Sequence, residues 1–311
     1  MCLALSMMLA APLSVMAHPG LHHDIERVTA SMQTEGDNAG LLVERGYYYR
    51  LEGDLKASLR DLDEALRLNP DLNSIYAQRG LTLTDLGRFE QAEADFDRFI
   101  GAGGLSSPVL LARARIHAKN GRVAEALADY DKAIEIDLDV DAVLERARYL
   151  ESHGKFARAA ESLRDAIAKL GGAVILCDAL IDVEVAQKRF PQAISLIDQQ
   201  LTSAPVKTGL LLRRADVHEK AGHPAQARKD REQALIEAHK VLSKRSSGIH
   251  LLSRAKVYVA LGRLDEAKRD LEQVVLKSPK FLEAKKLLAK LKRGESERTI
   301  ATTVGELTND R

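Results

Sequence analysis

Tryptophan is absent from this chain, aromatic residues make up 4% of it, and there are two cysteines. A core built on large rings is therefore excluded. Packing by alanine and leucine on helices suits such a composition. The formal net charge is +1, so no long-range basic field argues for nucleic acid as a partner. No glycine-rich phosphate loop, CxxC, HExxH or GxSxG occurs, which leaves phosphate-loop, thiol-redox, zincin and serine-hydrolase chemistry without a motif. Acidic residues are plentiful but spread evenly, as on solvated helix faces. Cys177 stands in the apolar run VILCDALI and reads as a packing residue, not a reactive thiol.

One apolar stretch lacks charge altogether: MCLALSMMLAAPLSVMA, residues 1–17. It is too short to span a bilayer as a settled helix. It ends in Val15-Met16-Ala17, small enough for a signal peptidase, although no Lys or Arg precedes it. The expectation is a cleaved export signal of bacterial type, and a periplasmic or extracellular protein with no stable membrane span afterwards. Cleavage after Ala17 leaves Cys177 alone, so no intramolecular disulfide can form.

What is present is a period. Gly53, Gly87, Gly121, Gly154, Lys188, Gly222 and Gly262 recur at spacings of 34, 34, 33, 34, 34 and 40. Seven residues earlier stand Gly46, Gly80, Ala114, Ala147, Ile181, Ala215 and Ala255. Five residues later stand Ser58, Ala92, Ala126, Ala159, Ala193, Ala227 and Ala267. Each copy reads as two helices with apolar residues at 3.6 spacing. Small residues let the two axes approach, and glycine closes the first helix because it adopts positive φ without penalty. A lone hairpin cannot bury its stripe, so neighbours must stack.

The pattern resembles the tetratricopeptide repeat, a helix–turn–helix unit of 34 residues, over roughly residues 38 to 279. The resemblance implies an all-α fold: a right-handed α-solenoid of about seven such repeats with capping helices. The expected organisation is signal 1–17, a histidine-containing segment and capping helix 18–37, solenoid 38–292 and a disordered polar tail 293–311. Within it, His22 to Thr34 and Phe281 to Lys292 are expected as cap helices. The longer last spacing places about six extra residues between Ala234 and Ile249, read as a helical extension and a basic loop.

The resemblance also implies a function. First helices of such repeats line a concave groove, and the residue after each small one points inward: Tyr47, Leu81, Arg115, Arg148, Asp182, Asp216 and Lys256. This groove runs from apolar to basic to acidic. It lacks the Lys/Asn clamp that some family members use for C-terminal carboxylates. The expected protein is a scaffold without catalysis that binds a protein or peptide, its ligand carrying an acidic stretch beside a hydrophobic one.

A second reading starts at the mature N-terminus. His18, His22 and His23 could hold copper or zinc in a periplasmic metal-handling protein. Pro19 has no backbone N–H, so the His18 amine and ring would have to act with His22 or His23.

One internal pattern remains. Arg45, Arg79, Arg113, Arg146, Arg214 and Arg254 precede the small residue. Sixteen residues later stand Asp61, Asp95, Asp129, Ser162, Asp230 and Asp270. In the fifth copy both members become leucine, Leu180 and Leu196. The joint switch predicts that the two positions face each other as Arg–Asp rungs across each hairpin, the alternative being an arginine ladder for an anionic ligand. His117 and His218 occupy equivalent first-helix places and are expected to pack, not to coordinate.

Overall fold

A computed structural model of the chain describes residues 19–36 and 38–294. The expected signal segment, His18 and residues 295–311 of the expected tail lie outside the described residues. The described residues form sixteen α-helices and no strand. They fall into two compact units that divide between Arg146 and Ala147. The first unit holds α1 (Pro19–Glu35), α2 (Ala39–Glu52), α3 (Leu55–Leu68), α4 (Asn73–Asp85), α5 (Phe89–Gly101), α6 (Ser107–Lys119), α7 (Val123–Ile136) and the start of α8 (Val140–Ser152). The second holds the rest of α8, then α9 (Phe156–Leu170), α10 (Val174–Ala186), α11 (Phe190–Ser203), α12 (Thr208–Lys220), α13 (Pro224–Lys244), α14 (Gly248–Ala260), α15 (Leu264–Lys277) and α16 (Leu282–Lys292).

Every turn between paired helices is made by the periodic residue. Gly53, Gly87, Gly121, Gly154, Gly222 and Gly262 all have positive φ, and so does Lys188 at 58°. At Gly87 the amide donates to the Thr84 carbonyl at 2.9 Å while Arg88 N–H reaches Leu83 O at 2.8 Å, which satisfies two carbonyls that the helix end leaves open. Lys188 makes the same bond to Val185 and Arg189 the same bond to Glu184. The fifth hairpin thus keeps its turn without glycine and tolerates a strained backbone at one residue.

The small-residue frame is the packing frame. Ala92, Ala126, Ala159, Ala193, Ala227 and Ala267 are completely buried, as is Ser58. The Ser58 hydroxyl meets that of Thr82 at 2.9 Å, so its polar atom is satisfied where the other repeats carry a methyl group. Gly46, Gly80 and the five larger residues at their place are buried too. Further along the second helix the pattern relaxes: Phe99 and Gln200 replace alanine and are only half-buried.

The ends are closed by helices. In α1 the buried Ile25, Val28 and Met32 form the expected stripe, the last two in one cluster with Leu42 and Ile75. The helix begins earlier than His22 because Pro19 fits a first turn, where its missing N–H costs nothing. At the other end Ala284, Leu287 and Leu291 of α16 join the cluster of Leu271 and Val274, while Lys285, Lys286 and Lys292 face solvent. Arg293, assigned to the tail by its polarity, is the residue that caps α16. The six extra residues lengthen α13 to 21 residues before the short basic turn at Arg245. No helix among the described residues is long and apolar enough to cross a membrane.

A first-helix face beside an internal arginine ladder

The rungs form. Arg45 grips Asp61 through Nε and Nη2 at 2.7 and 2.9 Å. Arg79 holds Asp95 at 2.8 and 2.7 Å, and Arg113 holds Asp129 at 2.8 and 2.7 Å. In the second unit Arg214–Asp230 and Arg254–Asp270 repeat the fork. Such planar two-point pairing is what guanidinium and carboxylate geometry favours. The hydrogen bonds they donate to these aspartates hold Arg79, Arg113, Arg214 and Arg254 above the ordinary arginine range.

The ladder extends further than the sixteen-residue spacing predicts. The free Nη1 of Arg79 donates to Asp63 at 3.1 Å, that of Arg113 to Asp97 at 2.7 Å, and that of Arg214 to Asp198 at 2.5 Å. These acids belong to the preceding hairpin, so these three rungs tie neighbouring repeats together as well as their own two helices. Arg146, whose rung partner is Ser162, donates Nε to Asp131 at 2.5 Å. The signal for this second series was present in the sequence as Asp-x-Asp at 61–63, 95–97 and 129–131. With both faces of the fork occupied, these arginines are not available to an anionic ligand. In the fifth hairpin Leu180 is buried and Leu196 packs into the cluster of Ile181 and Ile197, in place of an ion pair.

His117 is buried against the third rung. Its Nε2 lies 3.4 Å from Asp129 and its Nδ1 3.7 Å from Glu93, whose two oxygens are held by Arg122 at 2.5 Å each. Burial pushes the imidazole below the ordinary histidine range, and Arg122 and Arg113 add to this against the pull of Asp129 and Glu93. The folded chain therefore binds fewer protons at His117 than the unfolded chain does. Stability at this site is whole above the unfolded value of about 6.5 and declines as pH falls below it. The melting temperature of His117→Gln should then fall less than that of the parent between pH 7.5 and 5.5 (values chosen around that same reference). Parallel curves would show that His117 titrates as it does in the unfolded chain. His218, the equivalent in the second unit, lies 3.8 Å from Asp230.

First helices pack on one another within both units. In the first, α2 packs on α4 and α4 on α6, while α3, α5 and α7 pack on first helices and not side by side. In the second, α12 packs on α14 in the same way.

The residues after the small position differ in availability. Tyr47 is 37% exposed, meets Tyr48 edge-on at 5.3 Å and carries the Arg50 guanidinium over its ring. Leu51, one turn on, is also exposed. Leu81 is half-buried against the cluster of Ala77 and Phe96. Arg115 departs from the expected free basic centre. Glu145 takes it from two sides at 2.8 and 2.7 Å and also accepts the Tyr130 hydroxyl at 2.8 Å. In the second unit Arg148, Asp182 and Asp216 are exposed. Lys256 is a correction: it is buried, with Nζ 2.5 Å from Glu283, and offers no charge to solvent. The thirty-residue separation of Arg115 and Glu145, and the link from Lys256 to the cap helix, could not be read from a single repeat.

The metal reading finds no support here. His22 and His23 are exposed on α1, and His22 lies 3.3 Å from Glu26 and 3.8 Å from Glu52. No group of three His, Cys, Asp or Glu side chains among the described residues could hold a metal ion. Cys177 is half-buried and burial raises its thiol, which suits packing more than reactivity.

Family models described as tetratricopeptide repeat match residues 39–72 and 251–280 in one case and 77–139 in another. Among solved structures, the C-terminal part of a repeat-containing protein from Cytophaga hutchinsonii aligns with a TM-score of 0.56 at 15% identity, over 77% of this chain and 96% of that one. A tetratricopeptide repeat protein from Parabacteroides merdae aligns at 17% identity over 81% of this chain and 98% of that one, with a TM-score of 0.47.

Proposed function

The chain is a tetratricopeptide-repeat protein, and from that premise we propose that it acts by binding a polypeptide along its first-helix faces, without catalysis of its own. Stacked helical hairpins are protein-interaction scaffolds, and their surface is preformed, so little ordering opposes binding. The observation that carries the reading is the exposed apolar pair Tyr47 and Leu51 on α2, with Leu81 at the place of Tyr47 in the next first helix, in a unit where Arg115 is closed by Glu145. A tyrosine with one rigid ring and neighbours that exclude water is the usual form of an energetic anchor. A segment with an aromatic or aliphatic side chain fits it. Net charge near zero supports polypeptide over nucleic acid.

Export belongs to the same proposal, supported by the uncharged apolar residues 1–17. Its partner is then an exported or envelope protein. N-terminal sequencing of the exported protein should begin at His18; an intact Met1 would refute processing.

Selection of a displayed random-peptide library on the purified protein tests the binding face. Selected peptides should carry an apolar anchor, and Tyr47→Ala should weaken them about tenfold to thirtyfold, the size of a binding hot spot, mainly through faster dissociation. If the selected peptides bind Tyr47→Ala and Leu51→Ala as tightly as the parent, the face is not the binding site.

A further inference from the structure

We infer that the turn between α15 and α16 seats on an anionic lipid surface. Leu276 and Leu282 enter the headgroup region, and Lys277, Lys280, Lys285 and Lys286 meet lipid phosphates. This is a second binding function, separate from the polypeptide face proposed above and independent of it.

Leu276 is 82% exposed and Leu282 63%, and they stand at the two ends of one turn. The repeat does not call for leucine at either place. Fourteen residues after the turn residue, other hairpins carry Arg67, Gly101, Glu135 and Thr202. Twenty after it they carry Asn73, Ser107, Asp141 and Thr208. Ile236 and Val174 are apolar exceptions, but an acid, Glu232 or Asp178, stands one turn away on the same helix. The turn itself is held. Ser278 N–H donates to the Val274 carbonyl at 2.8 Å and Phe281 N–H to the Ser278 carbonyl at 3.0 Å. Phe281 packs against the cluster of Leu271 and Leu287. The two leucines are therefore presented on a fixed support and are not part of the core.

The charge beside them is positive. Glu272 and Glu283, the acids that flank the turn, are taken by Lys292 at 2.9 Å and Lys256 at 2.5 Å. Lys277, Lys280, Lys285 and Lys286 are exposed, with no carboxylate at ion-pair distance among the described residues. Lys285 and Lys286 stand three and four residues after Leu282, on its side of α16. Lysines next to an anionic bilayer are drawn to it. Their long stems let the ammonium stay at the surface while a neighbouring leucine enters. Shape favours lipid over an acidic polypeptide. A protein partner gains most from side chains seated in recesses, and a leucine 82% exposed has almost no wall of its own chain around it. A fluid surface closes around such a protrusion. Leu287, Leu288 and Leu291 of α16 are buried in the protein, so the helix cannot lie flat in the surface and the turn alone enters.

The chain has no tryptophan, so Leu282→Trp gives the full chain a single reporter at this turn. Its emission should move to shorter wavelength on vesicles of equal parts phosphatidylcholine and phosphatidylglycerol, and not on phosphatidylcholine alone. Lipid brominated near the headgroup end of its acyl chains should quench it. Lys280→Gln with Lys285→Gln in the same background should raise the lipid concentration for half the shift by about tenfold or more, as expected for two lysines at an anionic surface. Added salt should act in the same direction. The substituted side chains are exposed, and unchanged far-ultraviolet circular dichroism would show the fold retained. Leu105→Trp, at a residue 64% exposed in the first unit, should show no shift, which separates this turn from any exposed apolar residue. An unshifted Leu282→Trp, an equal shift at Leu105→Trp, or indifference to the lysine pair would each overturn the inference. So would a shift caused by a peptide of alternating glutamate and leucine but not by vesicles, which would make the partner an acidic polypeptide. Failure of the Tyr47 test leaves this result standing, and failure here leaves the polypeptide face standing.

Discussion

Asp129→Ala should cost about 3 kcal/mol of stability, the effect of stranding a buried charge. Asp129 has 8% of its side chain exposed and Arg113 17%, so water cannot replace the lost carboxylate. Asp97 still faces Arg113 at 2.7 Å but is itself largely in solvent, and an exposed partner is worth under about 1 kcal/mol. His117 loses a neighbour as well. Asp129→Asn should cost less, since the amide oxygen still accepts one bond. The fifth hairpin shows the apolar solution: leucine at both positions, with Leu180 buried. Arg113→Leu with Asp129→Leu should therefore recover much of the loss, because replacing a whole buried pair is close to neutral. Urea unfolding of the two single variants and the double would measure the coupling. A double leucine variant less stable than either single one would mean the rung is not an isolated facing pair.

Gly80→Ala should destabilise by about 1–3 kcal/mol, the range for overpacking, although alanine is ordinarily about 1 kcal/mol better than glycine inside a helix. The sign is reversed by Phe96. A Cβ built at Gly80 would stand 2.5 and 2.7 Å from two ring carbons of Phe96, and that ring is completely buried. At Gly46 the same Cβ would meet Leu62 at 3.0 Å and the Ser58 carbonyl at 3.3 Å, so Gly46→Ala should cost less. The seventh hairpin carries the compatible pair, Ala255 with Leu271 in one buried cluster. Gly80→Ala with Phe96→Leu should thus unfold at a higher urea concentration than Gly80→Ala alone. A Gly80→Ala variant as stable as the parent would show that the ring can move aside at no cost.

These two cases mark the limit of sequence reading. The Arg113–Asp129 rung was legible because a fixed spacing recurs and because both members change together in the fifth copy. Phe96 against Gly80 was not legible: the sequence marks Gly80 as a small residue, but which side chain fills the space opposite a missing Cβ depends on rotamers. Among the residues after the small position, Tyr47 and Asp216 are exposed. Arg115 and Lys256 are tied up by partners that come from other helices.

By itself the sequence determined the helical hairpins, their register, the seven turns and the Arg–Asp ladder. All of these rest on contacts between residues a fixed distance apart in the chain, and a local interaction repeated along a sequence leaves a period that can be counted. Only the tertiary structure decided which charges remain for a partner. That depends on contacts from one repeat to the next, as between Arg115 and Glu145 or between Arg213 and Asp182. Those pairings follow no common spacing, and a long side chain reaches whichever carboxylate the stacking of helices brings within about 3 Å.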